Sequence, residues 1–291
     1  MRIKRRFLPI ALIAVVLAGC VATWLAGSAL SASRNQAIDN SPDDLGIERV
    51  EFHSESGATL HGWFIRGRKG AGAVVLMHGV RANRVSMLGR ARFLSEAGYS
   101  VLLFDFQAHG ESIGRQITFG HLESRDAQAA VAFLRARLPD EKIALIGTSM
   151  GGAAALLASP LLVTDAMVLE QVYPAIDRAI SNRLKTRLGF WAGALTPLLT
   201  LQLGPRLGVR ADLLRPVDRV GQIAAPKFFI AGAQDQATTL AESHQLFNAA
   251  SEPKELWIVE GAGHVDLHRA ATEEYENRVL AFFNKYLRGG S

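Results

Sequence analysis

The sequence predicts an α/β fold, in which a mostly parallel β-sheet carries helices on both faces. Strand-like and helix-like segments alternate along the chain, which is the order that parallel strands joined by crossover helices require. Most of the strand-like segments are continuous apolar runs, typical of strands buried on both sides. The chain has 291 residues, of which 49% are hydrophobic and 20% charged, so it can bury one large core.

The first part of the sheet is predicted to be an antiparallel hairpin. The segments IERVEFHS and ATLHGWFI alternate apolar and polar residues on either side of the turn at residues 55–57, as in a hairpin with one solvated face. The remaining strands are predicted at six apolar runs: GAVVLMH (72–78), YSVLLFD (99–105), KIALIG (142–147), AMVLE (166–170), PKFFIAG (226–232) and KELWIVE (254–260). Helical periodicity is found at residues 86–97, 121–138 and 272–287.

The first 30 residues are predicted to be a targeting or anchoring segment rather than part of this fold. A basic start, MRIKRR, precedes an uncharged apolar stretch at residues 7–30 that is long enough to cross a bilayer as a helix. The residues LAGC at 17–20 also resemble the lipobox of bacterial lipoprotein signal peptides, in which Cys20 would carry the lipid. An uncleaved membrane anchor and a lipoprotein signal are both possible, and both place the folded domain on the periplasmic, extracytoplasmic side of a bacterial membrane.

Residues 31–46 are rich in polar residues and turn formers, which predicts a linker before a folded domain at residues 47–288.

The formal charge of the chain is +5, but four positive charges lie within its first six residues. The domain itself is therefore nearly neutral, and we expect no nucleic-acid partner. The sequence has no H-E-x-x-H motif, cysteine pair or histidine cluster, so we expect no metal site.

One motif points to chemistry. The residues GTSMG at 147–151 lie directly after a buried strand and directly before a helix-tolerant segment. This is the setting of a nucleophile elbow, a sharp turn that lifts a serine hydroxyl above the edge of a sheet. Glycines on both sides let the strand and the helix approach closely. A plain tight turn can have the same five residues, and it is the flanking strand and helix that favour Ser149 as a nucleophile.

A serine hydroxyl is a weak nucleophile at neutral pH and requires a base and an orienting carboxylate. In sites built on such an elbow, the acid and then the histidine follow the serine along the chain. Asp235 comes shortly after the run KFFIAG, and His264 comes shortly after ELWIVE. Both are therefore expected at the carboxyl edge of the sheet. We predict a catalytic triad of Ser149, Asp235 and His264.

Other residues compete for these roles. His268 lies four residues after His264 and is an alternative base, while Asp266 and Glu260 are alternatives for the acid. His78 and His109 each follow a strand and precede a glycine, so they could line the site, but they come before Ser149 in the chain.

A transition state with a negatively charged oxygen also needs hydrogen-bond donors. The strand AVVLMH is followed by Gly79 and Val80, where the backbone N–H of Val80 can converge with that of Met150. These two N–H groups are the predicted oxyanion hole, and the alternative is a plain turn after the strand. Asp105, which follows another central strand, is expected to stabilise its loop rather than to act in catalysis.

These motifs together resemble the α/β-hydrolase superfamily. The matching segments are LMHGVRANR, LLFDFQAHGES, IALIGTSMGG, FIAGAQDQAT and IVEGAGHVDL, in the order that the family has them. The resemblance is closest to the serine aminopeptidase-like and Bem46-like bacterial hydrolases, which often carry an N-terminal membrane segment. It covers about residues 47–288 and implies an eight-stranded sheet, a small helical lid at about residues 173–222, the triad named above and no cofactor. Bem46-like proteins usually have asparagine where this chain has Val80.

The predicted function is hydrolysis of a small-molecule acyl ester through an acyl-enzyme. The alternatives are a peptidase or amidase, a thioesterase, or a noncatalytic protein with the same fold, since the fold does not specify the substrate. The lid segment at residues 178–210 contains no acid, six basic residues and the pair Phe190-Trp191. One expectation is that it forms an acyl-chain pocket and also contacts an anionic membrane surface. The other is that its apolar residues pack on the sheet while its basic residues form a solvated face.

Overall fold

The computed structural model describes residues 4–38 and 41–288, without the side chains of residues 4–12, 15 and 16. Its strands are β1 (Arg34–Asn35), β2 (Glu48–His53), β3 (Thr59–Ile65), β4 (Ala73–Met77), β5 (Ser100–Phe104), β6 (His109–Gly110), β7 (Ile143–Thr148), β8 (Ala166–Glu170), β9 (Lys227–Gly232) and β10 (Lys254–Val259). Its α-helices are α1 (Lys4–Ser31), α2 (Leu88–Glu96), α3 (Glu123–Arg137), α4 (Met150–Leu157), α5 (Ile176–Leu188), α6 (Thr196–Thr200), α7 (Leu203–Leu207), α8 (Leu240–Ala249), α9 (Leu267–Ala270) and α10 (Thr272–Leu287).

Eight of the strands form one sheet in the order β10-β9-β8-β7-β4-β5-β3-β2. The pairs from β10 across to β5 are parallel, whereas β3 pairs antiparallel with both β5 and β2. The predicted fold class, the eight strands and the antiparallel hairpin are thus confirmed. Because β7 to β10 are parallel and adjacent, the loops that leave their carboxyl ends meet at one edge of the sheet.

The sheet separates two apolar cores, as the continuous apolar strands predict. Along β4, Val75 and Met77 face the core that includes α3 and α4, whereas Val74 and Leu76 face the core that includes α2 and α10. All four side chains are fully buried. Because successive side chains of a strand point to opposite faces, the five residues of β4 contribute to both cores.

The segment predicted as a linker pairs with the folded domain. β1 forms a parallel ladder with β6, and the N–H of Ile38 donates to Glu111 Oε1 at 3.2 Å. The helix before it also contacts the domain, because the Arg206 guanidinium of α7 lies 4.2 Å from the ring centre of Trp24 and donates to the Trp24 carbonyl oxygen at 2.6 Å. A further hydrogen bond joins Arg206 to Ser28.

The predicted basic flank of the anchor includes residues 1–3 and side chains that lie outside the described part of the chain. Among the residues described, none of the helices combines the length and apolar character needed to span a bilayer. The assignment of residues 1–30 stays a prediction.

Candidate active site

The candidate nucleophile lies on a strained turn at the carboxyl edge of the sheet. Ser149 stands between β7 and α4 with φ 51° and ψ −111°, in the positive-φ region that side-chain-bearing residues rarely adopt. Its N–H donates to the Glu170 carbonyl oxygen of the neighbouring strand at 2.8 Å. The strand and helix predicted around this motif are confirmed, and the turn is that of a nucleophile elbow.

Close packing explains the glycines of this elbow. A Cβ atom on Gly151 would lie 2.3 Å from the Met77 carbonyl oxygen, and one on Gly147 would lie 2.6 Å from the Cα of Gly152. Both distances are far below normal contact, so only hydrogen side chains let α4 begin so near β4 and β7. The helix start, with its unpaired N–H groups, is thereby placed beside the serine.

Asp235 and His264 meet in the loops after β9 and β10. Nδ1 of His264 lies 2.7 Å from Oδ2 of Asp235, whose side chain is 1% exposed. The other carboxylate oxygen of Asp235 accepts the N–H groups of Ala237 at 2.7 Å and Thr238 at 2.9 Å. Because an ionised carboxylate can only accept, Nδ1 of the imidazole is the donor to Asp235, and Nε2 carries the free lone pair of the ring.

The serine hydroxyl is not joined to this pair in the structure. Oγ of Ser149 is buried and has no hydrogen-bond partner among the described residues. The structure therefore brings Asp235 to His264 but does not form the predicted hydrogen bond between Ser149 and His264. In enzymes without substrate, hydrogen bonds between catalytic groups are often long or open.

The predicted oxyanion donors lie in the loop after β4 and at the start of α4. The loop after β4 passes close by, since a Cβ atom on Gly79 would lie 3.8 Å from Cβ of Ser149. Within the described residues, the N–H of Val80 donates no hydrogen bond. Met150 is the first residue of α4, so its N–H has no carbonyl partner within the helix. Both N–H groups are therefore available to a ligand oxygen.

His78 and His109 support these loops. His78 is fully buried, its Nδ1 lies 2.8 Å from the Gly79 carbonyl oxygen, and its Nε2 accepts the N–H of Phe106 at 3.1 Å. Burial, with a smaller contribution from His109, lowers the pKa of His78 to about 3, so the ring is neutral at physiological pH. His109 similarly accepts the N–H of Arg81 at 3.1 Å.

The competing residues have other partners. His268 lies 2.7 Å from Glu276 and not beside Asp235, and Asp266 caps α9 by accepting the His268 N–H at 3.2 Å. Glu260 is exposed. Asp105 forms a buried ion pair with Arg84 and also accepts its backbone N–H at 2.7 Å, which is the loop-stabilising role predicted for it.

Two supporting residues were missed by the sequence analysis. Gln171 has a φ of 50° and donates from Nε2 to the Gly263 carbonyl oxygen at 2.7 Å, directly beside His264. Arg90 forms a buried ion pair with Glu170. The only signal in the sequence was the charged residue at the end of the apolar run AMVLE, and it did not reveal its partner.

The lid segment combines buried and exposed apolar residues. Leu199 and Leu203 are buried, as expected if the lid packs on the domain. Phe190 and Trp191 are instead 73% and 85% exposed and form an edge-to-face pair, with the Lys185 ammonium 5.8 Å from the Phe190 ring centre. Part of the lid segment thus packs inward, while its aromatic pair lies on the surface. The acyl-chain pocket and the membrane contact stay predictions.

Comparisons with known proteins agree with this fold. The family described as "Serine aminopeptidase, S33" matches residues 68–207. The chain is 24% identical over 244 residues to protein YqkD of Bacillus subtilis (82% of this chain, 80% of the relative), and 28% identical over 220 residues to human monoglyceride lipase (63% and 71%). The solved structure of the esterase Pf2001 from Pyrococcus furiosus is similar, with a TM-score of 0.73, 27% identity and coverage of 89% of this chain and 99% of that one.

Substitution of Gly151 tests the packing of the elbow. We expect Gly151→Ala to lower the free energy of unfolding by about 1–3 kcal/mol, because its methyl group collides with backbone atoms that cannot rotate away. Urea denaturation measures this change. Gly204→Ala is the matched control, since no atom lies within 4 Å of a Cβ there, and this helical position should tolerate alanine without loss. Equal stability of the two variants would contradict the close approach.

The neutral His78 predicts a dependence of stability on pH. The pKa of this ring is about 3 in the fold against 6.5 in the unfolded chain. The contribution of the buried, neutral ring to the free energy of unfolding is therefore complete above pH 6.5 and is lost as the pH falls toward 3. In His78→Gln, the stability deficit relative to the parent should shrink by about 2 kcal/mol between pH 6.5 and pH 5, at about 1.4 kcal/mol per pH unit. Denaturation at both pH values measures the deficit, and a constant deficit would indicate that the ring titrates normally.

Proposed function

We propose that this chain, a member of the α/β-hydrolase superfamily, is a serine esterase that hydrolyses a small acyl ester through a covalent acyl-enzyme. The observation that carries the proposal is the 2.7 Å contact between His264 and Asp235 at the same sheet edge as the strained Ser149. The likeness to the Pyrococcus esterase and to human monoglyceride lipase supports an ester as the substrate rather than an amide.

The proposed reaction begins when Nε2 of His264 reaches Oγ of Ser149 and accepts its proton as the oxygen attacks the acyl carbonyl. Asp235 keeps the imidazole in the required tautomer and stabilises its positive charge. The N–H groups of Val80 and Met150 stabilise the oxyanion of the tetrahedral intermediate. The protonated His264 then donates its proton to the leaving alcohol, and water activated by the same ring releases the acid.

The alternatives use the same residues. An amide or thioester would pass through the same acyl-enzyme, and the family that matches residues 68–207 is described by an aminopeptidase. A comparison of matched ester, amide and thioester substrates therefore decides the bond type. A noncatalytic protein of this fold would hydrolyse none of them.

Loss of the nucleophile tests the proposal. We expect Ser149→Ala to lower kcat for a nitrophenyl acyl ester at least about 1,000-fold, because the covalent step has no other nucleophile. The same substitution should abolish labelling by a fluorophosphonate probe. Ser86→Ala is the matched control, since the Ser86 hydroxyl is exposed and bonds only to the Asn83 carbonyl oxygen.

A pair of histidine variants tests the base in the same assay. His264→Ala should lose activity as Ser149→Ala does, whereas His268→Ala should keep it because its ring pairs with Glu276. Retained activity in Ser149→Ala, or loss only in His268→Ala, would refute the triad.

We also propose that residues 1–30 hold the enzyme at a membrane as an uncleaved anchor, with the domain on the extracytoplasmic side. The apolar run continues beyond Cys20 to Leu30, whereas a lipoprotein becomes polar after its lipidated cysteine. In α1, Leu17, Val21 and Leu25 follow one another at intervals of four residues, on one face of the helix, and each is about 60% exposed. Such a face suits contact with lipid.

The state of Cys20 separates the two forms of attachment. We expect Cys20→Ser and the parent alike to stay in the membrane fraction after extraction with alkaline carbonate, and mass spectrometry to find residues 1–19 still attached. A lipid-modified N-terminal Cys20 in the parent, lost in the variant, would establish the lipoprotein alternative instead. Release of both proteins by carbonate would refute attachment by this segment.

A further inference from the structure

A buried arginine joins the two loops on which the proposed reaction depends. Arg90 of α2 is 2% exposed, and its guanidinium donates to both carboxylate oxygens of Glu170, from Nε at 2.9 Å and from Nη2 at 2.7 Å. Its third nitrogen, Nη1, lies 2.9 Å from Oδ1 of Asp266. One rigid, planar group therefore holds two carboxylates from different parts of the sheet edge.

Glu170 connects this group to the nucleophile. It is the last residue of β8 and lies opposite Thr148, the last residue of β7. Its Oε2 accepts the Thr148 hydroxyl at 2.8 Å, and its backbone oxygen accepts the Ser149 N–H at 2.8 Å. The Tyr275 hydroxyl also donates to its carboxylate. Glu170 thus contacts the elbow through both its side chain and its backbone.

Asp266 connects the same group to the base. It lies two residues after His264 and caps α9. On the other side of His264, the Gly263 carbonyl oxygen accepts the side-chain amide of Gln171, the residue after Glu170. The short loop that carries His264 is therefore tied at both ends to the end of β8.

We propose that Arg90 is a positioning residue that, through Glu170 and Asp266, sets the separation of Ser149 and His264. This inference rests on the proposed function. A buried, bidentate ion pair has a narrow range of geometry, and an error of about 1 Å in the placement of reacting groups can cost about 100-fold in rate. Ser149 Oγ has no hydrogen-bond partner in the structure. Because the bridge holds the loop that carries His264, it limits the distance of this loop from the serine and the size of any movement that brings the two side chains together.

The sharpest test removes Asp266 and leaves the buried Arg90–Glu170 pair intact. Serine is as good an N-cap as aspartate, so Asp266→Ser keeps the start of α9 but lacks the carboxylate. We expect kcat for a nitrophenyl ester and the rate of fluorophosphonate labelling to fall about 10-fold or more, with KM unchanged. Arg90→Lys, which keeps the charge without the planar fork, should retain more activity than Arg90→Met.

Lys227→Met is the matched control for loss of stability. Lys227 is buried like Arg90, but it lies at the amino end of β9, at the opposite edge of the sheet, and donates to the carbonyl oxygens of Ile223 and Ala225. Its removal should lower Tm without changing kcat. If Arg90 had only a structural role, Asp266→Ser would behave like Lys227→Met and lose stability without losing activity. An unchanged kcat and labelling rate in Asp266→Ser would therefore overturn the proposal.

A second measurement does not require activity. Hydrogen exchange of backbone amides in residues 261–266 should become faster in Asp266→Ser, while exchange in β7 stays unchanged. If the parent protein is neither labelled nor active, the proposed function fails, and exchange alone then decides whether the bridge restrains the loop. Unchanged exchange would overturn the bridge whatever the catalytic result.

Discussion

The alignment of the carboxyl ends of β7 to β10 is the constraint on which the site depends. In a parallel sheet, hydrogen bonds fix the register of neighbouring strands, so residues far apart in sequence come to one edge. Thr148 lies opposite Glu170, and Val259 lies opposite Gly232. A shift of one residue in either pair would turn the following loop to the other face of the sheet. The candidate nucleophile, acid and base therefore need no contact with one another to be brought near.

The same edge carries the least favourable features of the fold. Ser149 has positive φ, His78 is buried without charge, and a complete ion pair lies beneath the elbow. Each is unfavourable in isolation, because strain, desolvation and buried charge all cost free energy. The surrounding structure offsets these costs with specific partners: a neighbouring backbone oxygen for Ser149, two loop groups for His78, and a second carboxylate for Arg90. Features of this kind concentrate where a protein needs exact placement more than stability.

Much of this arrangement was predictable from local sequence. Continuous apolar runs identified the buried strands, and the GTSMG motif identified the elbow, because both depend on residues adjacent in the chain. Asp235 and His264 could be placed at the sheet edge for the same reason, although their mutual contact required the structure. The pairing of Arg90 with Glu170 could not be predicted, since 80 residues separate them and neither lies in a recognisable motif. The pairing of β1 with β6 was hidden in a segment whose polar composition indicated a linker.

The contact between α1 and α7 joins the N-terminal segment to the lid segment, two parts of the chain that were predicted separately from the sequence. Arg206 belongs to the lid, yet its guanidinium stacks on Trp24 and bonds to Ser28 in the N-terminal helix. While α1 keeps its place, these contacts restrain α7. Any displacement of α7 must therefore break them or carry the N-terminal helix with it, so the two helices are mechanically coupled.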